Sequence, residues 1–380
     1  MKNTSMEKSY PSSIILAAKL IVLCLTIVLA YTLRSVLVPL MFAVVISIML
    51  YPVCHWLERM KLPRAAASII SVILATLILS GLLYFIVHQV IVIGRDGQDI
   101  ADNFGKIYDS IQQFIARRFG VEPGTITSQI REQAHQSLSG MGKYLTSAFS
   151  SAGGTLASGV LVPIYTFFFL YYRDFFKDFL IQAMRGAGAT KVLETINRIY
   201  NVIQSYLLGL VTVMGIVAVL NTAGLMVLGI EYAWFFGTLA AILILLPYIG
   251  VAVGSIVPAL FALATMDSYW YALGVIGWFQ VVQFLEGNFI TPNIVGGKVS
   301  LNPLIAIISL LLGGMLFGLG GLILAIPMVA VMKIIFDMTD STRPFSFLIG
   351  EPDKEHLKKD SYDHLIDKHD VQKNEGLPLD

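Results

Sequence analysis

The sequence predicts an all-α fold, a polytopic transmembrane helical bundle of about eight spans, and three observations predict it. Hydrophobic residues make up 56% of the chain and charged residues only 13%, where a soluble domain carries roughly 25% charged residues. The mean hydropathy is +0.75. The apolar runs are long enough to cross a hydrocarbon core of ~30 Å, which takes roughly 20 helical residues. The ~10-residue alternation of a membrane β-barrel is absent.

The eight apolar runs fall at about 14–33, 36–56, 66–93, 152–172, 200–228, 232–265, 269–290 and 302–336. Lys2 and Lys8 precede the first, as in a signal peptide. That run lacks an Ala-x-Ala cleavage site and more spans follow, so it reads as an uncleaved first span. Only Arg34 and Ser35 separate it from the second, which predicts a tight helical hairpin.

Lysine and arginine collect at the N-terminus, at Arg59, Lys61 and Arg64, at Arg173 to Arg198, and at Lys333 and Arg343. With eight spans all of these fall on one side, the cytoplasm, and both termini lie there. The Lys298 loop is then external.

Four segments follow from this. Residues 1–94 hold transmembrane helices 1–3. Residues 95–150 form an external amphipathic helical hairpin, with apolar residues such as Phe104, Ile111 and Phe114 at helical spacing. Residues 151–338 hold helices 4–8, with a cytoplasmic amphipathic helix at 174–199. Residues 339–380 mix Lys, Asp, Glu and His without periodicity and read as a disordered cytoplasmic tail. The sixth run is the odd one. As a straight helix it would reach about 51 Å, and Pro247 and Gly250 interrupt it, so a broken or re-entrant segment is expected.

Several functions are excluded by composition and motif. The net charge is +1, and no basic stripe with interleaved aromatics points to nucleic acid. Cys24 and Cys54 lie in or beside apolar runs and read as packing residues. The tail histidines lack ligand spacing, so no metal site is expected. The signatures of zinc proteases, serine hydrolases and phosphate loops are absent, so the chain reads as a non-enzyme without a cofactor.

What chemistry there is concentrates late in the chain. Glu286 closes the seventh run, with Gln283 one turn before it and Asn288 just after. A carboxylate at bilayer depth costs on the order of 2.5–3.5 kcal/mol, and function is the usual reason to retain one. Gln280, Gln283 and Gly287 share a helical face. Asn221 and Gln204 are lone amides in the fifth run and read as interhelical hydrogen-bonding groups.

Several pieces in fixed order then resemble the autoinducer-2 exporter family of bacterial membrane proteins. They are Leu246-Pro247-Tyr248-Ile249-Gly250, Glu286-Gly287-Asn288, Pro292-x-x-x-Gly296, Leu301-Asn302-Pro303-Leu304, Gly313-Gly314-x-Leu-Phe-Gly318 and Ala325-Ile326-Pro327. The match covers roughly residues 14–340. The resemblance implies a multi-pass permease of the bacterial inner membrane that exports a small furanosyl signalling molecule. Other members are similar to cation/proton antiporters.

The leading expectation is a secondary transporter with its pathway between the broken sixth run and the seventh and eighth. Tyr248, Gln283, Glu286, Asn288 and Asn302 supply polar groups, and Pro247, Gly250, Pro292 and Gly296 permit backbone breaks. In an exporter these groups hydrogen-bond a small polar solute. In a monovalent cation/proton antiporter Glu286 alternates between a proton and the cation, with H⁺ or Na⁺ as the coupling ion. A third expectation, from another class, is a membrane scaffold or assembly protein acting through the external hairpin and the cytoplasmic helix. The expected partners are the bilayer and a small-molecule or ion substrate, and the hairpin's second apolar face is compatible with a homo-oligomer.

Overall fold

The computed structural model describes residues 12–95, 156–184, 188–246, 249–295 and 300–352. Among these the chain is helical, with one isolated antiparallel bridge between Leu301 and Gly350. The expected external hairpin at 95–150 lies outside the described residues, as do Pro247, Tyr248, Gly296 and the chain from 353 on.

Helix α1 (Ser12–Thr32) meets α2 (Arg34–Arg59) at Leu33. The expected tight hairpin does not form. Leu33 has φ −88° and ψ 10°, and helical hydrogen bonds continue on both sides of it, from Leu33 N to Leu29 O and from Leu37 N to Leu33 O. The helix bends there without reversing, and Leu16, Leu20, Val22 and Leu25 of α1 remain exposed.

Helices α2, α3 (Arg64–Arg95) and α4 (Leu156–Tyr171) form one packed unit. Its core is Cys54, Ala67, Val72 and Leu170. The single amphipathic helix expected at 174–199 is two. Helix α5 (Arg173–Ala183) ends at Met184, and α6 (Ala189–Val227) begins after Gly188, whose φ of +80° suits glycine. Helix α6 is about 58 Å long at 1.5 Å per residue, longer than a hydrocarbon core, and it is the strut the other units share. Val45 of α2, Ile203 of α6 and Leu324 pack together at one level. Leu225 of α6 joins Phe236, Phe261, Val275 and Phe279 at another.

The sixth apolar run folds back on itself. It forms α7 (Ala233–Leu243) and α8 (Ile249–Thr265), and these lie side by side. A Cβ on Gly254 would sit 3.2 Å from Cα of Ala240. At the open end Tyr232 packs edge-on against Phe261, ring centroids 5.8 Å apart. Helix α9 (Tyr269–Leu285) follows, then a π-helical turn (Glu286–Ile290) and α10 (Thr291–Ile294).

The eighth run, α11 (Pro303–Phe336), also doubles back. Gly318 has φ 65° and ψ −148°, a conformation glycine reaches without a Cβ clash. The two arms then cross at small residues. A Cβ on Gly313 would meet the Gly321 carbonyl oxygen at 2.7 Å and the Ala325 side chain at 3.3 Å. Arg34–Arg59, Arg64–Ile93, Ala189–Val227 and Pro303–Phe336 are long and apolar enough to cross a membrane. In the last of these, however, the length is shared between two arms.

That hairpin changes where the chain ends meet. Lys333 Nζ donates to Ser300 O at 2.6 Å, and Asn302 N donates to Ile349 O at 2.9 Å. The residues beside Lys298, expected on the face opposite Lys333, therefore lie next to it, because a hairpin returns the chain to the end it left. The tail boundary moves as well. Residues 343–349 form helix α12 (Arg343–Ile349), and Phe345 packs on Phe336 with ring centroids 5.9 Å apart.

Candidate functional site

Two polar clusters stand out among the described residues, one at the basic end of the bundle and one inside it. At the basic end Arg173 donates to both oxygens of Glu58, Nη1 to Oε1 at 2.9 Å and Nη2 to Oε2 at 2.6 Å. Its guanidinium lies 5.1 Å from the centre of the Tyr51 ring. Arg64 joins Glu58 to Asp174, and Tyr51 packs edge-on against Tyr200. Arg198 Nη1 bonds Asp337 Oδ2 at 2.9 Å. These contacts tie α2, α3, α5, α6 and α11 at one level. The Arg64 hydrogen bond holds the Asp174 carboxyl below the usual carboxylate range.

The inner cluster is built by the end of α9. Pro292 has no N–H, and in a regular helix its ring would meet the carbonyl one turn back. The chain widens here into a π-helical turn, in which Thr291 N donates to Glu286 O. In a regular helix Thr291 would sit about 140° around the axis from Glu286. The wide turn instead places its hydroxyl on Glu286 Oε1. Gln283 Nε2 donates to the other oxygen, Oε2, at 2.8 Å. Inserted π turns occur often at functional sites.

Glu286 and Gln283 line a small pocket of about 20 Å³ together with Asn221 of α6, Ile244, the start of α8 at Gly250, and Phe279. The α7–α8 turn is tight at this point, and a Cβ on Gly250 would overlap the Leu243 carbonyl oxygen. Trp278 fixes α6 against α9. Its Nε1 donates to Leu220 O at 3.1 Å, and its ring fills the space where Gly224 lacks a side chain. Asn221, the next residue along, is 3% exposed. Its Oδ1 is buried and takes no hydrogen bond from the described residues.

The structure thus joins Gln283, Glu286 and Gly250, and leaves other expected residues elsewhere. Asn288 is exposed and its Nδ2 bonds back to Phe284 O at 2.9 Å, because two residues along a helix turn it about 200° away from Glu286. Asn302 caps α11, accepting from Leu304 N at 3.0 Å. It is a helix cap beside α12 and does not line the pocket. Pro292 occupies the first turn of α10. Gln280 and Gly287 are exposed. Tyr248, Pro247 and Gly296 lie outside the described residues. Two contributors escaped the sequence reading. Thr291 is five residues from Glu286, off the helical face that 3.6 periodicity defines. Asn221 gave a signal, an amide in an apolar run, but its burial and missing donor are visible only in the fold. Among the described residues no three His, Cys, Asp or Glu gather as a metal site would require.

Comparison with known proteins points to one family of transporters. The model of the AI-2E family transporters matches residues 20–341. The chain is 25% identical over 305 residues to the Bacillus subtilis protein named "Putative transport protein YrrI", covering 80% of this chain and 86% of that one. It is 27% identical over 315 residues to "Putative transport protein YueF" of the same organism, covering 78% and 82%. It is 22% identical over 329 residues to "AI-2 transport protein TqsA" of Escherichia coli, covering 84% and 91%. With apolar helices suited to a bilayer and a family match across most of its length, the chain belongs to the AI-2E family of membrane transporters.

Proposed function

We propose that the protein is a secondary transporter of the bacterial inner membrane that exports a small polar solute, with Glu286 on the pathway. The observation that carries this reading is the Glu286 carboxylate. It is held by Gln283 and Thr291 at a π turn, in a pocket shared by α6, the α7–α8 hairpin and α9. A carboxylate within an apolar bundle is retained at a cost of several kcal/mol, and here it faces an internal space. In this reading the basic end faces the cytoplasm. The α11 hairpin then enters from the cytoplasm and the α7–α8 hairpin from outside, since their open ends lie at opposite ends of α6. Non-regular backbone at membrane depth is tolerated where it is buried in protein or lines a cavity, as at Ile244–Leu246. The name of the Escherichia coli relative, an AI-2 transport protein, makes an autoinducer-2-like solute the first to test.

A second reading, monovalent cation/proton antiport, is favoured by the size of the pocket, which has no room for a sugar-sized solute in this conformation. Reconstituted protein should release labelled solute, or move protons when Na⁺, Li⁺ or K⁺ is added. Glu286→Gln should remove either activity while expression and folding stay normal. Unchanged transport by a well-folded Glu286→Gln variant would end both versions.

A further inference from the structure

We infer that α5 is a membrane-interface helix that binds phospholipid in the leaflet at the basic end, with Phe175, Phe176, Phe179 and Leu180 seated among the acyl chains. The surface is separate from the Glu286 pocket and does not depend on what the protein transports. The first observation is the pattern of the helix. Those four residues occupy one side of α5, and Arg173, Asp174, Lys177, Asp178 and Gln182 occupy the other. All four apolar side chains are exposed, and α5 buries none of its residues. A contiguous apolar patch of this kind marks an interaction surface.

The second observation fixes which way the patch faces. Arg173 is held on Glu58 and Asp174 on Arg64, and Lys177 Nζ stands 3.8 Å from Asp174 Oδ1. These pairs turn the polar side of α5 toward the ends of α2 and α3. The apolar side therefore faces away from the bundle and cannot rotate inward while the pairs hold.

The third observation names the occupant. Glu58 lies in the last turn of α2, where Trp56 is exposed, and tryptophan and tyrosine collect at the membrane–water interface. The Glu58 pair sets the start of α5 at that level. The apolar helix α4 carries an outer ridge of exposed residues four apart, Val160, Ile164, Phe168 and Tyr172. Phe168 stacks on Tyr172 with ring centroids 5.9 Å apart, and Tyr172 meets Phe175 edge-on at 6.5 Å. The ridge that α4 turns to lipid thus runs into the apolar side of α5 without a polar break, and the same leaflet covers both. Amphipathic helices in this position seat their apolar side about 5–10 Å into the boundary of headgroups and acyl chains. The polar side carries both signs, Arg173 and Lys177 against Asp174 and Asp178. Binding is therefore by apolar insertion and does not require an anionic headgroup.

The test is the accessibility of nitroxide labels on the full-length protein in phosphatidylcholine nanodiscs, repeated with phosphatidylglycerol added. Single cysteines replace Phe175, Phe179, Asp178 or Gln182 in a Cys24→Ser background, with buried Cys54 retained and the background protein as the blank. Labels at 175 and 179 should collide freely with oxygen and poorly with a water-soluble nickel chelate, and labels at 178 and 182 the reverse. The oxygen-to-nickel ratio should differ several-fold between the two sides, in both lipids. Free nickel collision at 175 and 179 would place α5 in water and overturn the inference. Poor collision with both reagents there would overturn it in favour of a protein cover, a second copy or another segment of this chain. A pattern seen only with phosphatidylglycerol would overturn binding by apolar insertion. Phe179→Trp in the otherwise native chain checks the result without a label. Brominated acyl chains should quench its added emission, and added emission left unquenched would contradict the inference.

Discussion

Gly313 and Gly321 lie against each other, so close that a Cβ on Gly321 would overlap the Gly313 carbonyl oxygen. A straight helix would hold them about 12 Å apart. This contact, made by the left-handed turn at Gly318, converts the eighth apolar run into a hairpin.

The hairpin predicts its own sensitivity pattern. Gly318→Ala should cost about 1–2 kcal/mol from its positive φ, and Gly321→Ala a similar amount or more through the clash with Gly313. Gly314→Ala, whose nearest neighbour is a Leu322 methyl at 3.7 Å, should be within about 0.5 kcal/mol of the parent. Thermal unfolding in detergent ranks the three, and a Gly314 variant as damaged as Gly321→Ala would contradict the packing.

The same hairpin fixes sidedness. With Cys24 and Cys54 replaced, single cysteines at Ser300 and Thr339 should react with an impermeant maleimide from the same face of the membrane. Eight straight spans would put them on opposite faces. Labelling in intact cells and in everted vesicles separates the two cases.

Arg173 and Glu58 form a bidentate pair, each with a side chain 17% exposed. Arg173→Ala should lower stability by about 2 kcal/mol, since charged hydrogen bonds are lost and a mostly buried carboxylate is left without its main partner. Arg173→Lys should recover only part of this, lacking the planar fork and the stacking on Tyr51. Chemical denaturation of the three proteins provides the comparison.

Asp174 makes the basic end acid-sensitive. Arg64 lowers its folded carboxyl below the usual value, so the folded state holds the anion more strongly than the unfolded chain does. The stabilisation is full above the ordinary aspartate pKa and is lost as pH falls through the lower folded one. Its size is below about 1 kcal/mol, because Asp174 is 58% exposed and the pair is screened. Asp174→Asn should flatten the dependence of Tm on pH below about 4 relative to the parent. An unchanged slope would show that the pair contributes nothing measurable.

Two expected pathway residues should behave as structural ones. Asn302→Ala should cost about 1 kcal/mol as a lost helix cap, and Asn288→Ala less than about 0.5 kcal/mol, with transport retained in both. Thr291→Val should instead impair transport, having removed the hydroxyl that bonds Glu286. Initial transport rates on matched amounts of folded protein make the test, and a transport-dead Asn288→Ala would return that residue to the pathway.

What the sequence determined by itself is what composition and periodicity govern. Long apolar runs dictate helices in a bilayer, and one carboxylate beside Gln283 marks the place where polarity is retained against a cost. Ordered Pro and Gly pieces were enough to indicate the family. Pro247 and Gly250 also announced that the sixth run would not be straight. Nothing local distinguished the eighth run, because Gly318 is one glycine among several and its positive φ is imposed by the contact of its two arms. That Asn221 and Glu286 line one pocket was equally out of reach, since that space exists only once α6, α7, α8 and α9 have packed. Thr291 reached Glu286 by a different route: the π turn breaks the 3.6-residue period on which sequence reading depends. Helices follow from local hydrogen bonding and hydrophobicity, whereas hairpin closure and the pocket depend on close packing between distant segments, which tertiary structure alone decides.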